Sequence, residues 1–103
     1  MKYYYIMHCT KHGERFFKFD EPRSTEMYKL EGSCLAKTLD EVFVKEQEPR
    51  GRRSLSVGDV LIEAGEYGVD SFTMSIMKYH VVQPVGFDEL IEDREAGVYK
   101  LKE

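Results

Sequence analysis

Apolar and polar residues alternate along most of this chain, and a helical period interrupts the alternation once. Tyr3-Tyr4-Tyr5-Ile6-Met7 is rich in aromatic and β-branched side chains. Arg15-Phe16-Phe17-Lys18-Phe19 follows it after the turn signal Lys11-His12-Gly13-Glu14. The pair predicts a hairpin with Phe17 and Phe19 on one face. Asp20 to Ser24 is polar and contains Pro22, so it reads as a turn. Met27 to Glu31 alternates again, predicting a third strand with Tyr28 and Leu30 inward and an end at Gly32.

The helical period begins at Thr38-Leu39-Asp40-Glu41, which matches a capping box: the threonine hydroxyl accepts from the backbone three residues on, and the glutamate reaches back. A helix over about 38–47 follows. Leu39, Val42 and Phe43 fall at i, i+3 and i+4 and form its apolar stripe, and Pro49 and Gly51 end it. Beyond the loop, the tight-turn dipeptide Gly58-Asp59 feeds a strand in which Val60 and Ile62 share a face. Gly58 is expected at positive φ there and should resist substitution. Ala64 to Gly68 reads as another turn. Phe72 to Ile76 and Met77 to Val81 alternate in opposite phase, which a bulge near Ile76-Met77 reconciles. Pro84 and Gly86 close that strand, Phe87 to Ile91 has the spacing of one helical turn, and Val98 to Leu101 returns as an edge strand.

The order β-β-β-α-β-β-(α)-β defines an α+β fold: a small, curled, mostly antiparallel sheet or partial barrel with one main helix at about 38–47 and a short helical turn near 87–91. At 103 residues the chain forms a single domain, residues 1–103. Its expected core is Leu39, Val42, Phe43, Val60, Ile62, Phe72, Met74, Ile76, Phe87 and Leu90. Three consecutive tyrosines cannot all point inward, so Tyr3 and Tyr5 are candidates for a partner surface.

Composition narrows the class. With 42% hydrophobic and 33% charged residues, the chain buries enough apolar surface to fold. No apolar run approaches the roughly 20 residues of a membrane span, and no signal-peptide pattern opens the chain, which places it in the cytoplasm. There the two cysteines, Cys9 and Cys34, are expected as reduced thiols. Residues 1–53 carry eleven basic and nine acidic side chains, and residues 54–103 carry four and ten. A nucleic-acid role therefore needs a local basic patch.

Candidate chemistry is sparse. Cys9-x-x-His12 has zinc-ligand spacing, but Cys34 and His80 are singletons, so no metal ligand is assigned and no cofactor is expected. No nucleophile, phosphate-loop or zinc-protease motif occurs, and no catalytic residue is assigned: the expectation is a protein that is not an enzyme. The one cationic cluster is Arg50-Gly51-Arg52-Arg53. Guanidinium forks suit carboxylate or phosphate, and the alternative is a loop whose arginines pair with the chain's own surplus carboxylates. Arg50, Arg52, Arg53, Tyr3 and Tyr5 are the candidate partner-binding residues.

The stretch from Leu39 to Leu90 resembles the YodL-like family of small bacterial domains, which also occur in phage and conjugative elements. The resemblance is carried by Leu39-Asp40-Glu41-Val42-Phe43, Pro49 and Arg53. It continues through Ser54-Leu55-Ser56-Val57-Gly58-Asp59-Val60, Tyr79-His80-Val81, and Gly86-Phe87 ahead of Glu89-Leu90. Gly58 stands where serine is common in that family. The resemblance implies no catalytic residue and favours binding of a bacterial or phage protein. Residues 57–91, from Val57-Gly58-Asp59-Val60 to Phe87-Asp88-Glu89-Leu90-Ile91, also resemble the second half of ASCH or PUA-like barrels. That second resemblance implies RNA or other nucleic-acid binding through the same arginines.

Overall fold

The computed structural model describes residues 1–11, 17–47, 51–66 and 77–103. Strand β1, Lys2–Cys9, is apolar toward both faces: Tyr4 and Ile6 pack on one side, Met7 and Cys9 on the other. A strand buried on both faces needs backbone partners on both edges. β1 pairs antiparallel with β3, Tyr28–Ala36, and with β4, Val60–Glu66. The expected hairpin of residues 3–7 with 15–19 is not formed. Residues 12–16 lie outside the described residues, and beyond them Phe17 is 61% exposed while Phe19 is fully buried, so the two do not share a face.

Among the described residues the sheet has seven strands in the order β2-β7-β6-β5-β4-β1-β3, every pairing antiparallel. The remaining strands are β2, Arg23–Ser24; β5, Lys78–Val82; β6, Phe87–Asp93; and β7, Val98–Leu101. Two bulges bend it. Ile6 faces Gly32 and Met7 faces Leu30, leaving Glu31 extra, while Tyr3 faces Gly65 and Tyr4 faces Glu63, leaving Ala64 extra. The two outermost strands, β2 and β3, are consecutive in the chain, joined by one 3-10 turn at Thr25–Met27. The edges are thereby brought together, and the sheet curls into a small antiparallel half-barrel.

Two apolar clusters result. Cys9, Tyr28, Val60, Val81, Leu90 and Tyr99, one from each of β1 and β3–β7, close around Phe19 inside the curl. Tyr28 and Tyr99 meet edge to face at 5.4 Å, and burial pushes both hydroxyls up to about 12, so they stay protonated. On the other face Tyr4, Ile6, Cys34, Ala36, Leu55, Leu61 and Val82 pack with Val42 of the helix α1, Leu39–Lys45. The cap forms in part as expected. Thr38 Oγ1 accepts from Glu41 N at 3.2 Å, but the Glu41 carboxylate accepts from Lys37 N rather than Thr38 N.

Several expectations are corrected. Phe87 to Ile91 is strand, not helix, because Tyr79, His80, Val81 and Val82 of β5 pair with Leu90, Glu89, Asp88 and Phe87. β3 runs through Gly32 to Ala36, and Leu30 is 55% exposed although it shares the face of buried Tyr28, the two standing opposite Met7 and Cys9. β4 continues through residues 64–66, where a turn was expected, and β7 is covered on its far side by β2 rather than lying at the edge. Phe43 is 37% exposed: α1 is under two turns long, and Leu39, Val42 and Glu46 take its inner side. Val42, Val60 and Leu90 are buried, and Leu39, Ile62 and Phe87 are half-buried. Phe72, Met74, Ile76, the bulge expected beside Ile76 and Pro49 lie outside the described residues. No described helix is long and apolar enough to cross a membrane.

The packing separates residues that look alike in sequence. Ile6→Ala and Leu61→Ala should each lower unfolding free energy by about 2–5 kcal/mol. Leu30→Ala should change it by no more than about 0.5 kcal/mol. Urea unfolding of the three variants measures the contrast.

Candidate functional site

The arginine loop folds back on the protein's own carboxylates. Arg53 forks onto buried Asp59, with Nη1 to Oδ2 and Nη2 to Oδ1 both at 2.7 Å. It also donates to the carbonyls of Ser54 and Cys9. Asp59 accepts in addition from the backbone N–H of Cys9 and of Ser56, each at 2.9 Å. Arg52 forks onto buried Glu46 just past α1, both bonds 2.8 Å. To do so it crosses β3 at Gly32, where a Cβ would stand 2.5 Å from Arg52 Nη1. Arg50 lies outside the described residues. Tyr3 and Tyr5 are half-buried on β1, opposite Leu35 and Ser33 of β3, on the side away from buried Tyr4.

His8, which sequence reasoning passed over, is buried near this network, and its Nε2 has no hydrogen-bond partner. Burial holds its pKa below the ordinary 6.5, with nearby Asp59 opposing and Arg53 reinforcing. His80 is likewise buried and lowered by desolvation, its Nε2 3.5 Å from Glu63 Oε1 without a hydrogen bond. Cys9 and Cys34 are free thiols in different clusters on opposite faces of the sheet, and burial pushes the Cys34 thiol up. His12 lies outside the described residues, and among these no group of three His, Cys, Asp or Glu could hold a metal.

Other missed residues stitch the curl. Gln83 grips the backbone of Phe19 from both sides, accepting from its N–H at 2.9 Å and donating to its carbonyl at 2.8 Å. Arg23 is buried with its guanidinium 4.8 Å over the Phe19 ring, and it donates to the carbonyls of Phe17 and Lys18. Neither residue stands in a motif: Gln83 follows the apolar pair Val81-Val82, and Arg23 lies in a polar stretch that reads as a turn.

Besides recesses of about 290 Å³ beside Lys18 and Val85 and about 230 Å³ beside Ile91 and Leu101, two more flank β5 and β6. The larger, about 410 Å³, lies along β5 and β6, and its charged side chains largely answer one another: Lys102 bonds Glu89, and Tyr79 and Arg94 both reach Glu92. The smaller, about 190 Å³, is a groove between α1 and the β5–β6 turn, walled by Phe43, Val82, Pro84 and Phe87 with Asp40 at its rim. The turn is shaped by Gly86 at φ 71° and by Gln83 N donating to the Gly86 carbonyl, and it carries Val85 at 92% exposure. Beside Phe43, Val44 is 71% exposed. Neither recess is lined by a histidine or cysteine. No family model, no curated protein and no solved structure matches the chain.

Two outcomes follow from the buried ionic groups. Asp59→Ala, which leaves the Arg53 guanidinium without its partner, should destabilise by about 3–5 kcal/mol in urea titration. The histidines set a pH window. Below the ordinary 6.5 the unfolded chain binds protons that folded His8 and His80 refuse, so stability, complete above that value, falls as pH drops toward their folded pKa values. The exposed carboxylates held low, Glu41, Glu89 and Asp93, act only at more acid pH. The urea midpoint should therefore be lower at pH of about 5.5 than at about 7.5, and the drop should be smaller in His8→Gln and His80→Gln.

Proposed function

We propose that this chain is a non-catalytic, YodL-like interaction module that binds a bacterial or phage protein in the cytoplasm. The observation that carries the reading is the exposure of Phe43, Val44 and Val85 on α1 and the neighbouring turn. Phe43 and Val44 are neighbours on the helix and Val85 sits on the turn that borders the groove beside Phe43, and exposed apolar surface next to a groove is a feature of interaction sites. The ring of Phe43 meets water here although the helix has an apolar bed beneath it.

The nucleic-acid reading that accompanies the ASCH or PUA-like resemblance has less behind it. Arg52 and Arg53 are each held in a two-bond fork by a buried carboxylate, and a phosphate would have to compete with Glu46 and Asp59 for them. The half-buried Tyr3 and Tyr5 offer limited ring face for stacking.

A photo-reactive amino acid placed at Val85 of the full chain and activated in bacterial cells tests the reading. A discrete protein adduct is the expected result. Recovery of RNA adducts in place of protein would overturn it.

A further inference from the structure

We propose that the groove between α1 and the β5–β6 turn docks a peptide segment that seats one bulky apolar side chain between Phe43 and Phe87 and sets a lysine or arginine against Asp40. The inference deepens the protein-binding reading and rests on it.

Size argues for a side chain as the occupant. The groove holds about 190 Å³, whereas pockets for whole small molecules run to about 300–1,000 Å³. Its walls are rings and an aliphatic chain: Phe43, Phe87, Pro84 and Val82. Its floor is already satisfied, because the Gln83 amide donates to the Phe19 carbonyl and to Asp88 Oδ2 and its oxygen accepts from Phe19 N. A ligand there finds apolar walls and a Gln83 amide that is already engaged.

Charge names the chemistry beside that anchor. Asp40 is the one ionisable side chain lining the groove, and its carboxylate makes no ion pair or hydrogen bond among the described residues. Its neighbour Glu41 is engaged, bridging to Lys45 at 3.0 Å and accepting from Lys37 N. The described cation beyond the turn, Lys18, lines a separate recess past Pro84 together with Asp88. A partner's ammonium or guanidinium at Asp40 thus meets an unneutralised carboxylate next to an apolar wall, where charge-assisted hydrogen bonds gain strength and give orientation. A nucleic-acid phosphate would meet repulsion at the same place.

Selection of short random peptides against the purified full chain tests this, followed by fluorescence titration of the enriched peptides on Asp40→Lys and Phe43→Glu. Both positions are exposed, and far-UV circular dichroism confirms that the variants fold. The expected peptides carry Lys or Arg within a few residues of Leu, Phe or Trp. Each variant should weaken them by about tenfold or more, and replacing the peptide's basic residue by glutamate should restore binding to Asp40→Lys. Peptides that bind equally well to both variants would overturn the groove while leaving a protein-binding module in place. No enriched peptide at all would overturn the groove and the protein-binding reading together. Self-association abolished by Phe43→Glu would make a second copy of this chain the occupant and overturn the basic-peptide proposal.

Discussion

Asp59 holds one buried negative charge, and four donors from three stretches of chain converge on it: both arms of Arg53, the N–H of Cys9 at the end of β1, and the N–H of Ser56 in its own turn. A carboxylate taken out of water must be matched this fully or it unfolds its surroundings. Meeting that demand fixes where β1 stops, where β4 begins and how the arginine loop lies between them. The turn is fastened elsewhere as well. Gly58 N donates to the Val82 carbonyl, Val82 N to the Asp59 carbonyl, and the Tyr28 hydroxyl to the Gly58 carbonyl at 2.9 Å. Strands β1, β3, β4 and β5 therefore take their relative positions from one four-residue turn.

Local chemistry was legible in the sequence, and distant pairing was not. The threonine cap and the start of α1 were readable because their partners lie three residues away. So was Gly58, whose φ of 91° is a conformation that side-chain-bearing residues rarely adopt. Phe87 to Ile91 misled for the opposite reason. One turn of helical spacing cannot be told from a strand by period alone, and the ladder to β5 decided the matter. The absent hairpin has the same origin: β1 takes its partners from residues 28–36 and 60–66, and alternation in the first twenty residues carries no trace of them.

The candidate site follows that division. Arg52 and Arg53 stood out as a cationic cluster, yet their partners Glu46 and Asp59 were two carboxylates among nineteen acidic residues, distinguished only by burial. Gly32 looked like a strand terminator and proved to be the place where Arg52 passes over the backbone. Phe43 looked like core because its spacing matched Leu39 and Val42. Whether a third apolar residue on a short helix is covered depends on what lies opposite, and opposite Phe43 is a turn that leaves a groove.

Residues 23–36 belong to both ends of the sheet, to β7 through Arg23 and Ser24 and to β1 through β3. Laying down this one segment therefore finishes two seams whose partner strands stand at opposite ends of the sequence, near residues 2–9 and 98–99. The β1–β3 seam closes a short loop, from Cys9 to Tyr28, whereas the β2–β7 seam joins Ser24 to Val98 across most of the sequence. Closing such loops costs entropy before any contact rewards it, and topologies rich in distant pairings fold slowly for that reason. The half-barrel is thus built to close late, when β7 reaches back across most of the sequence to β2.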